Sequence, residues 1–195
     1  MAWTRRRSIT TGVVIGVALG TLAAVLIGLS GGGSSPSTVH LTDPGAVQEP
    51  GIGVAKDVSG KTLPDASFDL LAGGRAALAD YRGKPLVLNV WASWCPPCAQ
   101  EMPAFQDVHE ALGDKVQIVG LDRNDSRDAA SDFITARHIT YPLLFDPDDV
   151  VSPQLGIAVM PTTLFVSPDG VVVKSHAGAL SADELTKLIQ GSFQL

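Results

Sequence analysis

The sequence reads as an α/β sandwich around one core, and three observations carry that reading. From residue 86 onward, short apolar runs of strand length alternate with segments whose apolar residues recur at helical spacing. The run Thr162 to Val166, the turn Ser167-Pro168-Asp169-Gly170 and the run Val171 to Ser175 then form an antiparallel hairpin, followed by one last helix. Of the 195 residues, roughly 140 to 150 carry this patterning, the size of a single domain.

The elements follow in order. Short apolar runs at Phe68 to Leu71 and Ala76 to Leu78, separated by Gly73-Gly74, predict a β-hairpin ahead of the main sheet. Leu86 to Trp91, LVLNVW, is a strand buried on both faces. Pro96 and Pro97 suit a helix start, where missing N–H groups cost nothing, and Met102, Phe105, Val108 and Leu112 continue that helix at near-helical spacing past Pro103. Val116 to Leu121 is a second buried strand, and Ala130, Phe133, Ile134 and Arg137 mark the inner face of a second helix. A short helix is expected near Val150 to Leu155. Ser181-Ala182-Asp183-Glu184 is a capping box ahead of Leu185, Leu188 and Ile189, whose serine and glutamate each satisfy an orphan helix amide.

The N-terminal quarter is different in kind. Arg5, Arg6 and Arg7 precede Ile9 to Leu29, 21 uncharged and mostly apolar residues, about the length needed to cross a hydrocarbon core as a helix. Basic flanks stay cytoplasmic, so residues 1–8 are expected inside, 9–29 in the cell membrane as a signal anchor, and the remainder outside. A cleaved signal peptide is the alternative, though its apolar region is shorter. Residues 30–51, rich in Gly, Ser, Pro and Thr, read as a flexible linker. Beyond residue 40, eleven basic residues face twenty acidic ones, a net charge of −9. With no basic footprint to displace counterions from a phosphate backbone, nucleic acid is excluded as a partner.

The chemistry centres on Trp94-Cys95-Pro96-Pro97-Cys98. The chain has two cysteines, separated by two residues. A structural disulfide gains most from closing a long loop, so a bridge this short suits opening and closing instead. Where a buried strand runs into a Cys-x-x-Cys that opens a helix, the helix N-terminus favours thiolate on the first sulfur. Cys95 is therefore the expected nucleophile and Cys98 the thiol that resolves the mixed disulfide. Metal binding by the same pair is the alternative, but zinc needs two further ligands, and His40, His109, His138 and His176 show no paired spacing. The reaction calls for no cofactor. Pro96 and Pro97 deny a Cys95 thiolate two nearby donors, which destabilises the reduced state and favours electron donation, toward the thioredoxin potential of about −270 mV and away from that of DsbA, about −120 mV.

With Asn89-Val90-Trp91-Ala92-Ser93-Trp94 leading into the cysteines and Val159-Met160-Pro161-Thr162 further on, the segment from about Gly60 to the C-terminus resembles the thioredoxin-like proteins of the TlpA, ResA and DsbE type. The resemblance implies a thioredoxin-like three-layer sandwich for residues 52–195, with a central mixed β-sheet flanked by helices. It implies a membrane-anchored reductase of disulfides in client proteins, apocytochrome c among them, fed by a membrane electron donor of thiol type. It also implies a cis Pro161 facing the cysteines, with Met160 and Thr162 offering backbone groups to an extended substrate and Trp94 and Pro96 beside them. A trans proline at a strand start is the plainer alternative. Where thioredoxin carries a buried aspartate, this chain has Asn89, which cannot act as a base. Glu101, one helical turn beyond Cys98, matches an acidic position of ResA-like members and is expected to take the Cys98 proton if burial raises its pKa; a solvated helix carboxylate is the alternative. Ala92 stands three residues before Cys95, where peroxiredoxins carry threonine. A disulfide-forming oxidant of the same fold remains a second outcome.

Overall fold

A computed structural model of the protein describes residues 55–195, and the expected anchor and linker lie outside them. The described part is a seven-stranded mixed sheet in the order β2-β1-β5-β4-β3-β6-β7. In chain order the strands are β1 (Ser67–Leu70), β2 (Arg75–Ala77), β3 (Leu86–Trp91), β4 (Gln117–Arg123), β5 (Leu143–Asp146), β6 (Thr162–Val166) and β7 (Val172–Ala177). The helices are α1 (Pro96–Leu112), α2 (Arg127–Ala136), α3 (Val151–Leu155) and α4 (Ala182–Phe193), with a 3-10 turn at Leu78–Tyr81. Among the described residues, no helix is long and apolar enough to cross a membrane.

The strands β3, β4 and β5 run parallel, as crossovers through α1 and α2 require, whereas β6 and β7 close one side antiparallel. Antiparallel β1 and β2 extend the other side, with β1 docked on β5. Their turn places Gly73 and Gly74 at φ +98° and +85°, two successive left-handed positions that side chains rarely adopt. The strand β5 has no counterpart in the expected elements. Its four residues follow Tyr141-Pro142 and are too short for a periodic signal, and they order by pairing with β4 and β1.

Alternation along β3 divides the core. Val87 and Trp91 point to the face covered by α1, α2 and α4, in a cluster with Phe105, Phe133, Phe165, Leu185 and both cysteines. Leu86, Leu88 and Val90 point to the other face, against Leu78, Val151, Leu155 and the N-terminal Val58 and Leu63. A period of two puts Asn89 on the α1 face, directly behind the cysteine helix. Gly120 of β4 sits in a close approach, because an added Cβ would press on Leu143 Cδ2 and lie 2.9 Å from Trp91 Nε1. At the start of α4, Ser181 Oγ accepts from the Glu184 amide while Glu184 Oε2 accepts from the Ser181 amide, the reciprocal pattern of a capping box.

Candidate active site

Cys95 sits between β3 and α1 as the residue that caps the helix. Its amide donates to the Ala92 carbonyl, and its Sγ accepts from the Cys98 amide at 3.3 Å. Pro96 and Pro97 occupy the first turn, where helix amides lack internal partners, so the Cys98 amide is the first that reaches the sulfur. Cys95 and Cys98 are joined in a disulfide with Cα atoms 5.3 Å apart. Cys98 is wholly buried and Cys95 is 4% exposed, while Pro96, Pro97 and Trp94 are exposed around it. The pair therefore meets solvent on the Cys95 side.

Two contacts fasten the loop that delivers Cys95. The Ser93 amide donates to Asp125 Oδ2 at 2.5 Å, and Trp94 Nε1 donates to the Asn124 carbonyl at 2.9 Å. Both partners belong to the loop after β4, a tie that no local pattern in the sequence announces. Trp94 is held at its nitrogen but leaves its ring 55% exposed beside the cysteines.

Behind the disulfide, Glu101 is only 1% exposed, so the solvated alternative does not apply. Asn89 Nδ2 donates to its Oε1 at 2.7 Å and the Leu180 amide to its Oε2 at 3.1 Å. Burial pushes its pKa up to about 7, with both hydrogen bonds opposing the rise. Cys98 and Glu101 lie one turn apart on α1, on the same face. The hydroxyl of Tyr141 is buried without a partner, and burial, then the Glu101 charge, hold its pKa above the usual phenol range. Asn89, read in the sequence only as a lost base, is here the group that orients the carboxyl.

The Met160–Pro161 peptide is cis. The register Val90↔Thr162 brings Pro161 to the end of the sheet where β3 runs into the cysteine loop, and Met160 packs against the cluster containing both cysteines. The Pro161 carbonyl accepts from Gly178, and Thr162 Oγ1 donates to the Val159 carbonyl. Thr162 itself is nearly buried and pairs with Val90 on one side and Ala177 on the other. Trp94, Pro96 and Met160 thus form the accessible surround, with Pro161 and Thr162 behind it.

Comparison with known proteins agrees with this arrangement. The AhpC/TSA family matches residues 59–175. The thioredoxin-like protein YneN of Bacillus subtilis is 30% identical over 129 residues, covering 65% of this chain and 75% of that protein. The thiol-disulfide oxidoreductase ResA of Bacillus thuringiensis is 27% identical over 132 residues, covering 67% and 76%. A secreted Mycobacterium tuberculosis disulfide oxidoreductase homologous to Escherichia coli DsbE superposes with a TM-score of 0.59 at 28% identity, covering 65% of this chain and 96% of that one. The chain belongs to the AhpC/TSA family and, within it, is a thioredoxin-like thiol-disulfide oxidoreductase of the ResA and DsbE type.

Proposed function

We propose that this oxidoreductase works outside the cytoplasm, tethered through residues 9–29, and reduces disulfides in client proteins such as apocytochrome c. The observation that carries the reading is the placement of one buried, half-neutral carboxyl, Glu101, a helical turn behind a buried Cys98 and away from the solvent-facing Cys95. In the reduced enzyme the Cys95 thiolate, helped by the Cys98 amide and the α1 dipole, attacks one sulfur of a client disulfide. That forms a mixed disulfide and releases the other client sulfur as a thiolate. The Cys98 thiol then gives its proton to Glu101 and attacks Cys95 Sγ, releasing the second client thiolate and closing the Cys95–Cys98 disulfide. Two electrons pass to the client. A membrane dithiol donor reopens the disulfide.

Client binding falls to Trp94, Pro96 and Met160 at the surface, with Pro161 and Thr162 shaping the strand end against which an extended segment lies. Extracytoplasmic action is supported by the apolar stretch after Arg5-Arg6-Arg7 and by the secreted relative.

Insulin reduction tests the reading. Wild type is expected to reduce insulin and Cys95→Ser to be inactive; retained activity in that variant overturns the catalytic assignment. Cys98→Ser is expected to trap clients on Cys95. A Cys95–Cys98 potential more positive than about −150 mV would instead assign disulfide formation.

A further inference from the structure

A second buried carboxyl lies beside the cysteine loop, and the reaction described above makes no use of it. Asp122, near the end of β4, is 0% exposed, and neither of its oxygens has a hydrogen-bond donor. In register it stands between Trp91 of β3 and Phe145 of β5, so its flanks are aromatic. An ionised carboxylate in such a place loses its hydration and receives nothing in return. The charges acting on it have its own sign: Asp125 from the adjacent loop first, then Asp146 at the end of β5. The neighbouring cations pair with other groups, although Nε and Nη1 of Arg123 stay buried without a partner. Arg123 pairs with Asp149 at 2.7 Å, and Arg127 of α2 reaches Asp69 and the Leu70 carbonyl and lies over the Phe145 ring.

A protonated Asp122, by contrast, becomes a donor with an acceptor at hand. The register that sets Asp122 opposite Trp91 brings it to the base of the loop at Ser93, where Asp125, the strongest charge acting on it, already accepts the Ser93 amide on Oδ2 and the Ser126 amide on Oδ1. We infer that Asp122 is a positioning residue, a neutral acid that shares its proton with the Asp125 carboxylate and so holds the Ser93 amide, and with it the loop that presents Cys95. Losing that proton sets two like charges side by side beneath Ser93, and the loop is then pushed off Asp125. The consequence for catalysis rests on Cys95 being the attacking sulfur; the latch does not.

Burial, with the Asp125 charge, raises the Asp122 pKa to about 8, which sets the pH window of the test. The test is carboxyl-carbon and amide NMR on the full chain in its disulfide form, where neither cysteine titrates. Asp122 is expected to be protonated at pH 7 and to titrate on the alkaline side, with the Ser93 amide proton shifting at the same midpoint. In Asp122→Asn, whose side-chain amide still donates to Asp125, Ser93 should keep its bonded shift and lose that inflection. Titration of Asp122 in the ordinary carboxylate range overturns the inference, as does a Ser93 inflection that survives in Asp122→Asn. The wild-type titration needs no variant to fold. If the titration behaves as expected while insulin reduction is absent, the catalytic reading fails and the latch stands.

Discussion

Glu101 and Asp122 are both acids sealed beneath the same active-site loop, yet they are built in opposite ways. Glu101 receives two donors, Asn89 Nδ2 and the Leu180 amide, that partly restore what burial removed. Asp122 receives none and faces other carboxylates. The first is poised to change protonation near neutrality, which suits a group that takes a proton and returns it. The second is held neutral across the same range, which suits a group that keeps its proton and donates a hydrogen bond. Burial alone raises a carboxyl pKa; the number of donors left in the pocket decides whether the result is a base or a latch.

The largest expected effect separating the two is on stability against pH. Both folded-state pKa values lie above their unfolded ones, so the unfolded chain releases these protons first and stability falls as pH rises. The Glu101 contribution is present in full below about pH 4.5 and is lost by about pH 7, an amount on the order of 3 kcal/mol at 1.36 kcal/mol per unit. The Asp122 contribution is lost over a window that extends to about pH 8. Denaturant unfolding across pH 4 to 9 should show the two overlapping losses, with Glu101→Gln removing the part that ends near pH 7 and Asp122→Asn the part that runs on to about pH 8. A curve that rises over this range would break the comparison at its root.

Next in size is a rate. On the proposed role of Glu101, which has to be ionised to accept the Cys98 proton, resolution of the mixed disulfide should accelerate as pH rises through about 7. In Glu101→Gln that inflection should vanish and the step should slow by about 10²-fold, the lower end for a positioned base. Stopped-flow decay of a Cys95 mixed disulfide reads both. A smaller shift follows from Asn89→Ala, which removes a bond that lowers the Glu101 pKa. The inflection should move to higher pH, with about 1 to 3 kcal/mol of stability lost with the buried bond. As the smallest effect, Arg75→Ala breaks an exposed pair with Asp69 and should change the unfolding free energy by less than about 0.5 kcal/mol. A large effect there would blur the contrast between buried and exposed charge.

The parts of this site legible in the sequence are those whose causes are local. The strand LVLNVW, the Cys-x-x-Cys and the helix with prolines in its first turn are contiguous, so each supports the reading of the next. Ser181 and Glu184 announce a helix start by spacing alone. What was not legible depends on distant pairing. Leu180 reaches Glu101 across 79 residues, and β5 exists because β1 and β4 flank it. In sequence, the run Asp122-Arg123-Asn124-Asp125 looks like a polar strand end entering a loop. Only the closing of Trp91 and Phe145 around Asp122 turns one of these acids inward.

The margins of the sheet have a bearing on solubility. At one edge β2 has three residues and begins with Arg75; at the other, Gly60 donates to the Val172 carbonyl, the Val172 amide donates to Lys61, and Thr62 bridges Val171. A thiol-disulfide oxidoreductase meets other chains at close range, and an exposed strand edge is a template onto which such chains can pair. One short, charged border and one whose start is already paired with the protein's own lead-in segment make such unproductive adhesion difficult, and favour encounters at the cysteines.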